Sequence, residues 1–457
     1  MKGLVALIVG LAVAVSLGDG LSPEFKDVAE TVHREMVSAH RSRQAFQERP
    51  ADTNLLAEAE RCYQRALAFS PVLQHIPVGQ CGEWLEKGTA PDACRPTLYD
   101  AVVYDLLDFY AFVMESGANG DDAAVMDADG PVLDDAEKFR VEIPADVVRQ
   151  SRMMRALRLY QMLLEFHEME KDQSAYADAD LNRLLFCRRF ASGANRETRF
   201  TAALDRFAYK WRKHEVASRA TAFRAARARE RGDAAFARML AQNGAATFPG
   251  SIGAAQCRNL IAEIEAPSLE VYASAVWSPP WPEITVMYKN LPQLTFRAVR
   301  LEERDRSFGR LQGTDGKLGA IIAKMLLKRP PAKGWVMALP PAPDYREREY
   351  SVTVPKDLAV GRYAVFASAD GRFAEDGAPT LFGVCDVSDA DGSGARHENI
   401  RSGLTPLFGA WTSMPEPDEW SYRAWRGTDG SALRHRVAAL REREGSDILN
   451  RHVQTQE

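Results

Sequence analysis

Near Pro267 the hydrophobic period of this chain changes from 3.6 to 2, and that change limits the fold more than any other feature. From Pro23 to Ile264 apolar residues recur at helical spacing. Beyond it, Ser268–Ala273, Glu283–Tyr288 and Leu294–Arg300 alternate, and Pro279-Pro280 and Leu291-Pro292 punctuate them. Trp335–Leu339, Arg348–Val354, Tyr363–Ser368 and Leu381–Val387 supply further strands. The expectation is a multidomain α-then-β chain: an all-α region with hairpin, tetratricopeptide-like character, then an Ig-like antiparallel β-sandwich of roughly seven strands.

The sandwich has an expected corner. Leu358, Gly361 and Tyr363 form a Leu-x-x-Gly-x-Tyr step between two alternating strands. In such a corner the tyrosine hydroxyl bonds back to upstream backbone, and glycine permits the tight approach.

In the helical region, Phe25, Val28, Val32, Met36 and His40 fall near one stripe, and Leu55, Ala59, Cys62, Leu67 and Phe69 begin a second. Pro96 precedes a strongly apolar helix, Leu98–Tyr110, and Ser151 is placed to cap the next one. Gly117–Asp135, rich in Asp, Gly and Ala, reads as a loop. The resulting division is 1–20 signal peptide, 21–198 helical domain, 199–266 helical hairpins turning at Gly232-Asp233, 267–389 sandwich, and 390–457 a divergent or truncated tail with no legible fold. That tail holds Trp411, Trp420, Trp425 and an Arg-rich segment, Ala432–Glu444.

Lys2 followed by the apolar run Leu4–Leu17 reads as an export signal, with an uncleaved anchor as the alternative. The run is short of the about 20 residues a membrane span needs, and no later segment is apolar enough to cross a bilayer. The body is therefore expected to be exported: periplasmic, in the cell envelope, or extracellular. A net charge of −5 gives no reason to expect a nucleic-acid partner.

Export permits disulfides among Cys62, Cys81, Cys94, Cys187, Cys257 and Cys385. Cys81 and Cys94, in a Pro- and Gly-rich loop, are the candidate pair; buried free thiols are the alternative.

No constellation for catalysis, cofactor or metal emerges. Asp127-x-Asp129-Gly130 and Asp389-x-Asp391-Gly392 each lack carboxylates that a calcium loop needs, and read as solvated acidic turns. His33 and His40 lack a third ligand and read as surface residues. Gly250-Ser251-Ile252-Gly253 is a turn and not a nucleophile elbow. Arg219, Arg224, Arg227, Arg229 and Arg231 read as a solvated helix face. Trp277 and Trp281, flanked by prolines, are either an interface patch or core.

Several blocks together resemble a family. Arg95–Asp100 with Asp108-Phe109-Tyr110, and Ala156–Gln161 with Leu164–His167, are similar to the N-terminal helical region of large bacterial alpha-2-macroglobulin-like proteins. Thr285–Leu291, Leu339-Pro340 with Asp344-Tyr345, and Leu358–Tyr363 resemble their first macroglobulin domain. The resemblance covers roughly residues 90 to 389. It implies an exported, non-catalytic scaffold, either the N-terminal portion of a protein that traps endopeptidases or a truncated member whose tail has diverged, with proteases among its partners. A stand-alone protein-docking module is the alternative. Gln80-Cys81-Gly82-Glu83-Trp84 echoes the family's thioester sequence, but Trp84 stands where the acyl-donor glutamine is needed, so no thioester forms.

Overall fold

The structure, a computed structural model, describes residues 21–118, 126–142, 151–303, 305, 316–373, 380–389, 402–403, 405–408 and 422–428. The expected signal, Asp391-Gly392, Trp411, Trp420 and the Ala432–Glu444 segment lie outside these. Two compact units emerge: Met1–Arg224 with Asn243–Cys257 and Pro417–Glu457, and Ala225–Gln242 with Arg258–Glu416.

In the first unit, Ser22 caps α1 (Pro23–Glu48), which buries Ala29, Val32, Met36, Ala39 and Phe46. These fall at intervals of three, four and seven residues, so one stripe faces inward. It packs against α2 (Asn54–Leu67). After the short α3 (Ser70–Leu73) and the two-residue strand β1 (Leu85–Glu86) comes α4 (Leu98–Ser116). Thr97 and Asp100 form a reciprocal capping box at its start, and Gly117 ends it at φ +71°. This helix is apolar nearly all round and is buried nearly all round.

Then follow α5 (Ala136–Glu142), α6 (Arg152–His167), α7 (Ser174–Phe190) and α8 (Arg196–Lys210). Ser151 caps α6 as its position predicts, accepting from the Met154 amide at 3.1 Å. Residues 199–266, expected as helical hairpins, hold most of α8 and then α9 (Val216–Glu230), α10 (Ala234–Thr247) and α11 (Ile252–Glu265). Gly232, at φ +84°, turns α9 into α10. Close approach here depends on missing side chains. A Cβ at Gly253 would overlap backbone at Ser218 and Arg219, and one at Gly244 would lie 2.6 Å from Cys257 Sγ.

The second unit holds two sheets. One runs β10-β2-β4-β7, from β2 (Ser268–Ala273), β4 (Glu283–Lys289), β7 (Arg348–Thr353) and β10 (Ser402–Gly403), all antiparallel. The other runs β11-β9-β8-β5-β6, from β5 (Gln293–Arg300), β6 (Lys333–Ala338), β8 (Gly361–Ser368), β9 (Thr380–Val387) and β11 (Thr405–Phe408). The short β3 (Val276–Trp277) pairs in parallel with β9.

Period two decides which side chains go inside. In β4, Ile284, Val286 and Tyr288 are buried while their neighbours are not. They share one core with Leu294, Phe296, Tyr363 and Val365 of the other sheet. Trp277 lies in this core, with its Nε1 donating to Ser274 O, so its apolar bulk is packing and not an exposed patch. Trp281 packs against the same core. A helix, α12 (Gly316–Leu327), lies in the insert after β5. Its Ile322, Ala323 and Leu326 cover Val299, Ala364 and Phe366.

At the corner, the Tyr363 hydroxyl donates to Ala359 O at 2.7 Å, Leu358 is buried, and Gly361 adopts φ +154°. A second tyrosine lock joins two of the segments that carry the family resemblance: the Tyr288 hydroxyl donates to Pro340 O at 2.6 Å. Asn290 Nδ2 donates to Ile264 O and Ala266 O, tying the end of α11 to the turn after β4.

The Gly253 contact carries a direct test. Gly253→Val is expected to lower stability by about 1–3 kcal/mol through overpacking. Urea unfolding followed by far-ultraviolet dichroism measures it, and a loss below about 0.5 kcal/mol contradicts the close approach.

Candidate peptide-docking site

Sequence reading stops at residue 390, and there the structure adds an arrangement that no motif announces. Tyr422–Thr428 runs along the first unit, and its strand β12 (Ala424–Trp425) pairs antiparallel with β1.

The seat is built on a loop. Val78 N donates to Pro96 O at 2.8 Å, and Leu98 N donates to Ile76 O at 2.9 Å. These bonds draw the two feet of the loop together. No disulfide is involved: Cys81 and Cys94, the expected pair, are both buried free thiols. Paired backbone at Pro77 and Thr97 does the closing instead. Cys81 Sγ donates to Pro77 O, and burial pushes its pKa up to about 12. Burial, then the charge of Asp178, raises the Cys94 pKa. Neither thiol is poised as a nucleophile.

Asp178, on α7, lies at the base of the seat with no exposure to solvent. Arg219 of α9 pairs with it at 2.5 Å, and Arg95 lies 3.8 Å away. The Tyr422 hydroxyl reaches both carboxylate oxygens, at 2.7 and 2.6 Å, and that of Tyr104 reaches one at 3.4 Å. The Arg95 guanidinium is sandwiched between the rings of Tyr104 and Tyr422. Burial raises the pKa of Tyr422, Arg95 opposes that rise and Asp178 adds to it, so the phenol stays protonated and donates.

Arg219 thus departs from the solvated face expected for the Arg219–Arg231 run. It is buried because Asp178 requires a cation, whereas Arg224 faces Asp205 and Arg229 faces Glu263 nearer the surface.

Trp425 is buried in the same apolar core as Val78 and Leu85, with the His33 ring 6.2 Å away. Arg423 grips Asp92 through Nε and Nη2, at 3.3 and 2.9 Å. The Arg426 amide donates to Trp84 O, its Nε donates to Gly82 O, and its carbonyl lies 2.9 Å from His33 Nε2. Gly82–Trp84, the thioester echo, is therefore an edge that accepts backbone bonds.

Other predicted positions have structural work. His40 and Asp105 pair at 2.8 Å, so His40 is not a surface histidine. His167 is buried against Asp100 at 2.8 Å, and Glu170 lies 2.8 Å from its other ring nitrogen. Burial opposes protonation of both rings, but the facing carboxylates outweigh it and raise both pKa values. Asp127 closes its turn by accepting from the Asp129 amide at 2.8 Å, and Ser251 caps α11. Buried Arg183 holds the same region through Asp180 and the carbonyls of Val132 and Asp134. Among the described residues no group of three or more His, Cys, Asp or Glu is arranged to hold a metal, and no helix is long and apolar enough to cross a membrane.

Comparison with family models, curated proteins and solved structures returns no match.

Two measurements test this geometry. Asp178→Ala leaves Arg219 and Arg95 without their anion and is expected to cost about 3–5 kcal/mol, read by chemical unfolding; a loss under about 1 kcal/mol contradicts the cluster. A raised histidine pKa stabilises the fold fully below the unfolded value of about 6.5, and that contribution is lost as pH climbs through the higher folded value. Thermal stability is expected to decline above about pH 6.5, with a shallower decline in His167→Gln. Equal slopes in the two proteins contradict the assignment.

Proposed function

We propose that this chain is an exported, non-catalytic scaffold that acts through protein contact, as the N-terminal portion of a macroglobulin-type protein engaged in endopeptidase inhibition. The second unit carries this reading. Its β2-β4-β7 and β6-β5-β8-β9 sheets, with the Tyr363 hydroxyl bonded back to Ala359 O, fit an Ig-like sandwich, the unit from which macroglobulins are built. The Tyr288–Pro340 bond supports it further, since both residues belong to the segments that resemble the family.

Trapping by enclosure blocks large substrates and spares small ones. The test mixes the purified chain, or a longer form of it, with serine, cysteine and metallo-endopeptidases. Expected is co-elution with at least one of them, with hydrolysis of a protein substrate slowed and that of a small chromogenic peptide retained. Unaltered protein hydrolysis and no co-elution across all classes reject the proposal.

A second reading, a stand-alone docking module, is favoured by one observation: the first unit already holds an extended segment as an added strand, β12 on β1.

A further inference from the structure

The seat holds its segment by means that extended peptides use to bind proteins: backbone pairing for affinity and side-chain pockets for specificity. Leu85 pairs with Trp425 and Glu86 with Ala424, and the Arg426 amide extends the pairing to Trp84. Successive side chains then fall to different recognition groups. Tyr422 enters the slot formed by Arg95, Tyr104 and Asp178; Arg423 meets Asp92; Trp425 joins the buried apolar core of the unit.

The geometry points to a docking site for an extended peptide of pattern Tyr-Arg-x-Trp-Arg, filled in this chain by its own residues 422–428 and open, in competition with them, to a partner protein that presents the same pattern. This inference does not rest on the protease reading.

The slot selects tyrosine. Phenylalanine stacks on Arg95 equally well but leaves the buried Asp178 carboxylate without its nearest hydroxyl donor. A phosphorylated tyrosine brings a dianion against that same carboxylate and is excluded. The basic residues of the pattern suit the rim, where Asp92 and Glu86 face Arg423 and Arg426.

Tethering explains how a site of modest affinity stays closed. Linkage within one chain gives such a segment an effective concentration on the order of 1 mM and favours it over a free peptide by about 100-fold. A peptide in trans then binds about 100-fold more weakly than to an empty seat.

The experiment uses the full chain. A fluorescein-labelled peptide of residues 421–428 is titrated into wild type and into Tyr422→Ala/Trp425→Ala, which removes both anchoring side chains. The double variant is expected to bind about 100-fold more tightly than wild type, and a peptide with Tyr422→Phe about tenfold more weakly than the parent peptide. A second variant, Arg423→Ala/Arg426→Ala, loosens only the rim contacts and is expected to gain about tenfold. A double variant that keeps the wild-type dichroism spectrum and binds no tighter overturns the proposal. So does unfolding of that variant together with no gain in the rim variant, because the segment is then part of the core and not a ligand.

Discussion

A carboxylate sealed from water must be neutralised by its neighbours, and at Asp178 the neighbours come from most of the first unit. Arg219 comes from α9, Arg95 from the loop before α4, Tyr104 from α4 and Tyr422 from the far end of the chain. Desolvating such a cluster costs several kcal/mol per ion, and only near-complete hydrogen bonding offsets that cost. The cluster therefore acts less as glue than as a condition on geometry: elements that miss their places strand a buried charge.

The same device recurs around it. Glu60 of α2 is met by Arg152 at 3.2 Å, by Arg155 and by the Tyr110 hydroxyl. Asp100 caps α4 and also receives His167. Arg183 ties α7 to the acidic turn through two carbonyls. Each joins helices that the apolar stripe alone would let slide, since side-chain packing tolerates substitution and shift better than a buried ion pair does. The sheet unit follows another rule. Its inner faces are apolar, and its polar locks, Tyr363 to Ala359 and Tyr288 to Pro340, sit at the margins where a strand turns.

Much of this was legible in the residues. The Ser151 cap, the helix after Pro96, the turn at Gly232, the alternation in β4 and β5 and the corner at Tyr363 all depend on neighbours within a few positions. Less legible were residues whose type pointed the wrong way. Arg219 resembled its solvated neighbours, His40 a surface histidine, and Cys81 and Cys94 a disulfide. Trp425 was visible as a large apolar residue in an otherwise unreadable tail, but nothing local named the core it joins.

The sequence by itself determined the period of each segment and hence the order of helix then strand, because backbone hydrogen bonding and side-chain alternation are settled over one or two turns. Only the tertiary structure decided that Asp178 would meet Arg219, Arg95 and Tyr422, and that residues 422–428 would lie along β1. Those partners lie tens to hundreds of positions apart along the chain. Desolvation energy depends on what surrounds a group in space, and no local pattern encodes that.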